Sequence, residues 1–145
     1  MGGKLPGLVG GRANTGGKKS SGDGWSARYM WREQGKLCLY LYHPKQPDRY
    51  GEYFCTDVKF ETDRWYWLHQ QVTINSPGNS DGSIIVRVDG KQVLNLRNMV
   101  LRYGNAAPID AFYFSTFFGG NQPEWAPQRD SYANFKGIRF ARLRP

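Results

Sequence analysis

The sequence predicts an all-β protein, and three observations support this class. Across the 145 residues, apolar side chains nowhere recur at helical spacing over the length of a helix. Runs of alternating polar and apolar residues follow one another, separated by short turns of Gly, Asp, Asn and Pro. Aromatic residues form 15% of the chain, and they favour strands. We therefore expect a β-jelly roll, a two-sheet antiparallel sandwich, in a single domain spanning residues 1–145.

The predicted elements begin after a glycine-rich segment. We expect residues 1–24 to form a loop, because Gly, Ser and Lys dominate them. Two alternating runs, Trp25–Arg32 and Lys36–His43, flank a three-residue loop that ends in Gly35, which is the pattern of a β-hairpin. Further strands are predicted at Trp65–Ile74, Ser83–Val88, Lys91–Leu96, Ile109–Phe118 and Ala133–Leu143. The dipeptide Asp89-Gly90 lies between two of these runs and is a strong hairpin signal.

The first hairpin should place four polar side chains on one face of the sheet. Side chains alternate along a strand, so Leu37, Leu39 and Leu41 share one face, which must point into a core. If Arg32 pairs with Lys36, every later pair in the hairpin is fixed, and opposed residues share a face. The square that results on the other face consists of Ser26, Arg28, Tyr40 and Tyr42. We interpret this square as a floor for a sugar.

The residue types in this square suit the chemistry of an acidic sugar. Arg binds a carboxylate through two parallel hydrogen bonds. Tyr can donate a proton, or accept one if a neighbouring cation lowers its pKa from about 10. Cleavage of a uronate polymer by β-elimination needs a group that neutralises the carboxylate, a base and an acid. Ordinary solvent-facing alternation in Tyr-rich strands would give the same pattern without a function.

The charge of the chain indicates an anionic partner. The formal net charge is +8, from 20 Lys and Arg against 12 Asp and Glu. Such an excess fits nucleic acid, an anionic membrane or an acidic polysaccharide, and it equally fits a surface that Lys and Arg keep soluble. No apolar run approaches the roughly 18 residues that span a bilayer, and no RNA-binding or zinc-finger motif is present. Charge alone does not choose among these partners. If the polar square is a sugar floor, it favours an acidic polysaccharide, and we expect neither nucleic acid nor membrane as partner.

Other polar residues are weaker candidates. His43 and His69 are candidate bases, although His43 is better explained as a loop anchor and a strand histidine is more often structural. One of Gln70 and Gln71 must face outward and could hydrogen-bond sugar hydroxyls. We include His69 and Gln71 among the candidate substrate-binding residues. No acidic or Cys/His cluster has metal-ligand spacing, so we expect no metal and no cofactor.

Short segments spread through the chain resemble one enzyme family. They are Gly3–Leu8, Trp25–Arg32, Leu39–Pro44, Asp81-Gly82 and Phe114–Gly120, with Trp125 and Pro127 following. Together they resemble polysaccharide lyase family 14, the alginate and glucuronan lyases. The resemblance implies a jelly roll that cleaves an acidic uronate polymer by β-elimination and leaves unsaturated uronate ends.

The resemblance also implies roles for single residues. The family's Lys in a Lys-Leu-Pro-Gly-Leu segment corresponds to Lys4, its Ser and Arg correspond to Ser26 and Arg28, and its paired tyrosines correspond to Tyr40 and Tyr42. We expect Arg28 to neutralise the carboxylate and Ser26 to hydrogen-bond the sugar. Either tyrosine would act as base, acid or both in turn. Lys4 would lower a tyrosine pKa or serve as the base itself.

Three expectations concern the whole protein. Family members carry strands before the Lys-Leu-Pro-Gly-Leu segment, so we expect this jelly roll to lack N-terminal strands. The N-terminus is too short and glycine-rich for a signal peptide, and we expect the full-length protein to be extracellular or secreted. Cys38 and Cys55 either form a disulfide or remain two buried thiols. The alternative functions are a non-catalytic carbohydrate-binding module for acidic polysaccharide and, less favoured, a nucleic-acid binder.

Overall fold

The structure, a computed structural model, describes residues 2–120 and 122–142. It confirms an all-β chain built from two antiparallel sheets. The strands in these residues are β1 Gly3–Gly11, β2 Gly24–Trp31, β3 Lys36–Tyr42, β4 Glu52–Lys59, β5 Leu68–Thr73, β6 Gly82–Val88, β7 Lys91–Met99, β8 Ala111–Tyr113 and β9 Phe117–Phe118. Two single-turn 3₁₀ helices span Glu33–Gly35 and Pro123–Trp125. None of the helices in this part of the chain has the length and apolar character needed to cross a membrane.

The two sheets differ in size. The larger has the strand order β4-β3-β2-β1-β8, and β9 also pairs with β1. The smaller has the order β5-β6-β7. One surface of the larger sheet packs on the smaller sheet, and its other surface, the outer face, points away from it. Strand β1 is interior to the larger sheet because it pairs with β2 on one side and with β8 and β9 on the other.

The core lies between the sheets. Leu37, Leu39 and Leu41 point into it as predicted, and each is at most 1% exposed. They belong to one cluster with Ile84 and Val86 of β6. Burying an aliphatic side chain of this size contributes about 1.5–3 kcal/mol, so this layer fixes which surface of the larger sheet becomes the outer face.

Both predicted hairpin turns are confirmed. Gln34 and Gly35 have φ angles of 57° and 73° in the turn between β2 and β3. Asp89 and Gly90 have φ angles of 50° and 82° between β6 and β7, as a type I′ turn requires. The first turn sets the register of the hairpin that carries the candidate site.

Two strands in the first half of the chain differ from the prediction. Gly3–Gly11 is a strand rather than part of a loop over residues 1–24, and Glu52–Lys59 is an edge strand where none was predicted. A Cβ at Gly7 would overlap the backbone carbonyl of Ala27 on β2. Glycine therefore lets β1 approach β2 closely, and the composition that suggested a loop belongs to a tightly packed strand.

Three of the later predicted strands are shorter, divided or absent, whereas β6 and β7 extend beyond the predicted bounds. The run Trp65–Ile74 forms a strand only over Leu68–Thr73, and Ile109–Phe118 is divided into β8 and β9. The strand predicted at Ala133–Leu143 does not form over residues 133–142, and Leu143 lies outside the described residues. Gly137 has a φ of 63°, which interrupts an extended chain, and no described strand pairs with this segment.

Candidate active site

The hairpin of β2 and β3 brings the four predicted polar residues together. Arg28 lies opposite Tyr40 and Ser26 lies opposite Tyr42, so the predicted register is confirmed. Tyr40 and Tyr42 belong to a buried cluster that is separate from the core of leucines, and the four residues share the outer face of the larger sheet. Alternation along two strands and the length of one turn are sufficient to produce this grouping.

Lys4 joins this group from β1. It pairs with Met30 across the β1–β2 ladder, and its Nζ lies 3.6 Å from the Met30 Sδ. The same Nζ lies 3.4 Å from the centre of the Tyr40 ring. The resemblance placed Lys4 in the site, and the sheet pairing supplies the geometry, because residues paired across a ladder share a face.

The surroundings of Lys4 disfavour a positive charge on its amine. Burial, and then the positive charges of Arg28 and Arg32, together lower its pKa from 10.5 to about 7. A substantial fraction of the amine is therefore uncharged near neutral pH. An uncharged amine can accept a proton, so Lys4 has the property of a general base.

Arg28 is held rigidly beneath the surface. Its Nε donates to the Leu5 carbonyl at 3.3 Å and its Nη2 donates to the Ser115 carbonyl at 2.8 Å. Its Cζ lies 4.7 Å from the centre of the Tyr113 ring. The side chain is only 4% exposed. Among the described residues its Nη1 has no hydrogen-bond acceptor, which leaves one edge of the guanidinium for a ligand.

The two tyrosines share a hydrogen bond between their hydroxyls at 3.3 Å. The Gly17 N–H donates to the Tyr42 hydroxyl at 2.8 Å, and the Gly51 N–H donates to the Tyr40 hydroxyl at 3.2 Å. Burial, and then the Tyr42 hydroxyl, raise the pKa of Tyr40 well above its usual range. This corrects the expectation that neighbouring cations lower a tyrosine pKa here: Tyr40 remains a phenol and so is a proton donor.

The square is covered rather than open. The loop between β1 and β2, residues 12–23, lies over one end of it, where the Ser26 hydroxyl donates to the Asn14 carbonyl at 2.6 Å. Ser26 and Tyr42 are 1% and 2% exposed. The loop therefore closes the end of the predicted sugar floor that holds Ser26 and Tyr42, whereas Lys4 is only partly buried.

Strand β4 adds a feature that the sequence left open. Cys38 and Cys55 face each other across β3 and β4 and form a disulfide. On the same face, Tyr53 stacks on Tyr40 with ring centres 4.7 Å apart. Tyr53 is 49% exposed, so it presents an aromatic surface beside the buried tyrosines. The signal in the sequence was the alternation that places Tyr53 and Cys55 on one side of a strand.

His69 and Gln71, which were predicted to bind substrate, lie apart from this group. Both lie on β5 of the smaller sheet and contact Arg87, at 3.4 Å in each case. Between them, Gln70 points toward the larger sheet, where its Nε2 donates to the Ala27 carbonyl at 3.0 Å. Successive side chains on a strand point to opposite faces, so His69 and Gln71 point away from the larger sheet and its outer face.

His43 lies at the end of β3. Its ring bonds to Glu52 and its backbone N–H donates to the Gln46 side chain at 3.0 Å. This is the environment expected of a loop anchor. No group of three or more His, Cys, Asp or Glu side chains that could hold a metal ion occurs within residues 2–120 and 122–142.

Comparison with known proteins identifies the family. The sequence model described as polysaccharide lyase 14 matches residues 1–138, which is nearly the whole chain. The chain belongs to the polysaccharide lyase 14 family. A search of curated protein sequences finds no match.

Solved structures of alginate lyases have the same fold as this family member. Alginate lyase Aly36B is 28% identical, with a TM-score of 0.76 over 86% of this chain and 55% of its own. The marine alginate lyase from Aplysia kurodai is 30% identical, with a TM-score of 0.74 over 87% of this chain and 57% of its own. Alginate lyase vAL-1 from Chlorella virus is 29% identical, with a TM-score of 0.71 over 85% of this chain and 57% of its own.

Variants of Aly36B have also been solved in complex with an alginate trisaccharide and an alginate tetrasaccharide. The present chain spans only a little over half the length of these solved lyases. The fold and the family are therefore shared, and the predicted all-β jelly roll is confirmed.

Proposed function

We propose that this chain is a polysaccharide lyase that cleaves an acidic uronate polymer by β-elimination. Alginate is the polymer that we favour as substrate. The observation that carries the proposal is the amine of Lys4, held 3.4 Å above the Tyr40 ring on the face that also holds Arg28. Membership of the polysaccharide lyase 14 family and the likeness to solved alginate lyases support the same chemistry.

Arg28 prepares the substrate for loss of a proton. Its guanidinium binds the uronate carboxylate and offsets the charge that builds on that group as the adjacent carbon loses its proton. The hydrogen bonds from Arg28 to backbone carbonyls of Leu5 and Ser115 fix its orientation before substrate arrives. Preorganised donors of this kind stabilise developing charge without reorganising during the reaction.

Lys4 removes the proton and a tyrosine returns one. The uncharged amine of Lys4 takes the proton from the carbon next to the carboxylate. The electrons of that C–H bond form a C=C bond as the bond to the glycosidic oxygen breaks. The departing oxygen takes a proton from Tyr40 or from Tyr42, whose hydroxyls lie 3.3 Å apart. The raised pKa of Tyr40 keeps it protonated for this role.

The experiment is an assay for unsaturated uronate. Wild-type protein incubated with alginate should produce ultraviolet absorbance from the new double bond, and mass analysis should give fragments formed by elimination rather than by hydrolysis. Lys4→Ala and Tyr42→Phe should each lose this product by about 100-fold or more, the contribution typical of a general acid or base.

Lys91→Ala provides the matched control, because Lys91 is an exposed lysine on β7 of the smaller sheet. This variant should cleave like wild type, and circular dichroism should show that all variants fold. Full activity in both site variants would refute the assignment of the site. Glucuronan in the same assay tests whether the substrate extends to a second uronate.

A non-catalytic carbohydrate-binding module is the second candidate. The observation that favours it is the covering of Ser26 and Tyr42 by the loop of residues 12–23, which engages both hydroxyls. Saturable alginate binding without any ultraviolet absorbance would support the module and reject the lyase.

We also propose an extracellular or secreted location. The Cys38–Cys55 disulfide supports it, because disulfides persist mainly in oxidising compartments. Fractionation of the source cells with an antibody against the protein would test this location.

A further inference from the structure

Arg32 occupies a distinct position on the outer face of the larger sheet. It directly follows β2 and lies four residues beyond Arg28. Its Cζ lies 5.0 Å from the centre of the Tyr53 ring and 5.4 Å from the centre of the Trp125 ring. Tyr53 comes from β4 and Trp125 from the 3₁₀ helix Pro123–Trp125, so two separate segments each bring an aromatic ring close to one guanidinium.

The guanidinium of Arg32 forms only a weak ion pair with Glu33. Its Nη2 lies 3.3 Å from the Glu33 carboxylate, whose side chain is 63% exposed. Exposed ion pairs of this kind contribute little, because water competes for both charges. Among the described residues Arg32 forms no other ion pair. A carboxylate from a ligand could therefore displace Glu33 and bind the planar guanidinium through two hydrogen bonds.

We propose that Arg32, Tyr53 and Trp125 form a second uronate subsite, which binds a sugar of the same polymer at a distance from the bond that is cleaved. This inference rests on the proposed function and specifies how the polymer lies. Arg32 lies four positions after Arg28, which corresponds to about 13 Å along an extended chain and is longer than one sugar ring. A uronate polymer carries a carboxylate on every sugar, so one chain along β2 presents separate carboxylates to the two arginines.

The position of Lys4 agrees with this path. Lys4 pairs with Met30, which lies midway between Arg28 and Arg32 on β2. The polymer would therefore pass the base as it runs from one arginine to the other. The half-exposed ring of Tyr53 adds a surface on which a sugar can stack. Contacts at two points of one polymer strengthen binding together, because the second forms within a complex that already exists.

The test compares Arg32→Gln with Arg97→Gln. Arg97 is an exposed arginine on β7 of the smaller sheet, so its loss removes the same charge from the molecule far from the site. Binding of an alginate tetrasaccharide is measured by calorimetry with each substitution combined with Lys4→Ala, so that the sugar is not cleaved. KM and kcat on alginate are measured with Lys4 present and near pH 9, where its amine is uncharged. Arg32→Gln should weaken binding by about tenfold, the loss expected for a charged hydrogen-bonded contact.

The pattern of effects separates binding from a purely structural role. The loss in Arg32→Gln should fall on KM more than on kcat, and Arg32→Lys should recover part of it, because it restores charge but not the planar fork. Tyr53→Ala should weaken binding while Tyr53→Phe should not. Arg97→Gln should match wild type in every measurement.

The outcomes are distinguishable from those of the lyase assay. If wild-type protein binds alginate without cleaving it, the proposed lyase activity is rejected and the subsite is still tested by the binding data. If Arg32→Gln binds the tetrasaccharide as tightly as Arg97→Gln does, the subsite is rejected and the proposed lyase activity is unaffected. A wild-type protein that neither binds nor cleaves alginate rejects both.

Discussion

At the scale of single residues, the environment of Lys4 links the proposed catalysis to stability. The amine is charged in both the folded and the unfolded chain below about pH 7, so the folded state then bears the full cost of the buried charge. Between pH 7 and the ordinary value of 10.5, the unfolded chain binds more protons than the folded one. The contribution of this residue to stability therefore rises with pH across that window. The same rise in pH produces the uncharged base.

The lowered pKa of Lys4 predicts how the proposed cleavage depends on pH. Because only the uncharged amine accepts a proton, kcat/KM should rise about tenfold per pH unit below the pKa and level off above about pH 7. The measurement is kcat/KM on alginate from acid to mildly alkaline pH. A rate that stays constant between about pH 5 and pH 7 would show that Lys4 is not the base.

Alternation and one turn length were enough to group Ser26 with Arg28 opposite the two tyrosines. Lys4 could not be placed this way, because its position depends on pairing between β1 and a strand that begins thirteen residues after β1 ends. For His69 and Gln71 the sequence left a different question open. Alternation establishes that they share a face, but only packing between the sheets determines which face that is.

At the scale of elements, β4 depends on one neighbour. It is the edge of the larger sheet, pairs with β3 alone among the described strands and supplies Tyr53 to the site. The Cys38–Cys55 disulfide joins the two strands across a sequence separation of 17. A crosslink over a loop of this length restricts the unfolded chain, which stabilises the folded state by about 3 kcal/mol.

A double substitution tests this crosslink. Cys38→Ser with Cys55→Ser should lower the free energy of unfolding by about 3 kcal/mol, measured by urea denaturation. A reducing agent should destabilise wild-type protein and leave the double variant unchanged, which separates loss of the bond from loss of packing. Equal stability with and without the disulfide would contradict the estimate.

The errors in predicting β1 and residues 133–142 have the same physical cause. Strand β1 is rich in glycine because β2 approaches it too closely for side chains, as at Gly7, so its composition resembles that of a loop. The segment of residues 133–142 has the opposite property. It alternates like a strand, yet Phe140 is 67% exposed and no described strand pairs with the segment. Pairing between strands distant in sequence decides both cases, and local patterns do not contain it.

At the scale of the molecule, the smaller sheet supports the site from behind. Ile84 of β6 is fully buried against the larger sheet, while its neighbour Ile85 points to the opposite surface and is only partly buried. The sheets are held together mainly by this apolar layer, since burial of apolar surface is the dominant favourable contribution to folding.

A matched pair of substitutions measures this layer. Ile84→Ala should lower the free energy of unfolding by about 2–5 kcal/mol, because it leaves a cavity between the sheets. Ile85→Ala removes the same atoms from the outer surface and should cost less than about 1 kcal/mol. Urea denaturation of both variants gives the comparison. Equal losses would mean that the two surfaces of β6 are packed alike.

Strand β1 pairs with strands that are synthesised at very different times: β2 on one side, and β8 and β9 on the other. During synthesis on a ribosome, β2 emerges soon after Lys4, whereas β8 and β9 follow only after five further strands. Folding topologies dominated by such distant pairings are slow, because a long loop must close before they form. A nascent chain would therefore carry Lys4 and Arg28 long before Ser115, whose carbonyl orients Arg28, has been synthesised. The proposed activity should accordingly be among the last properties that the protein acquires in biogenesis.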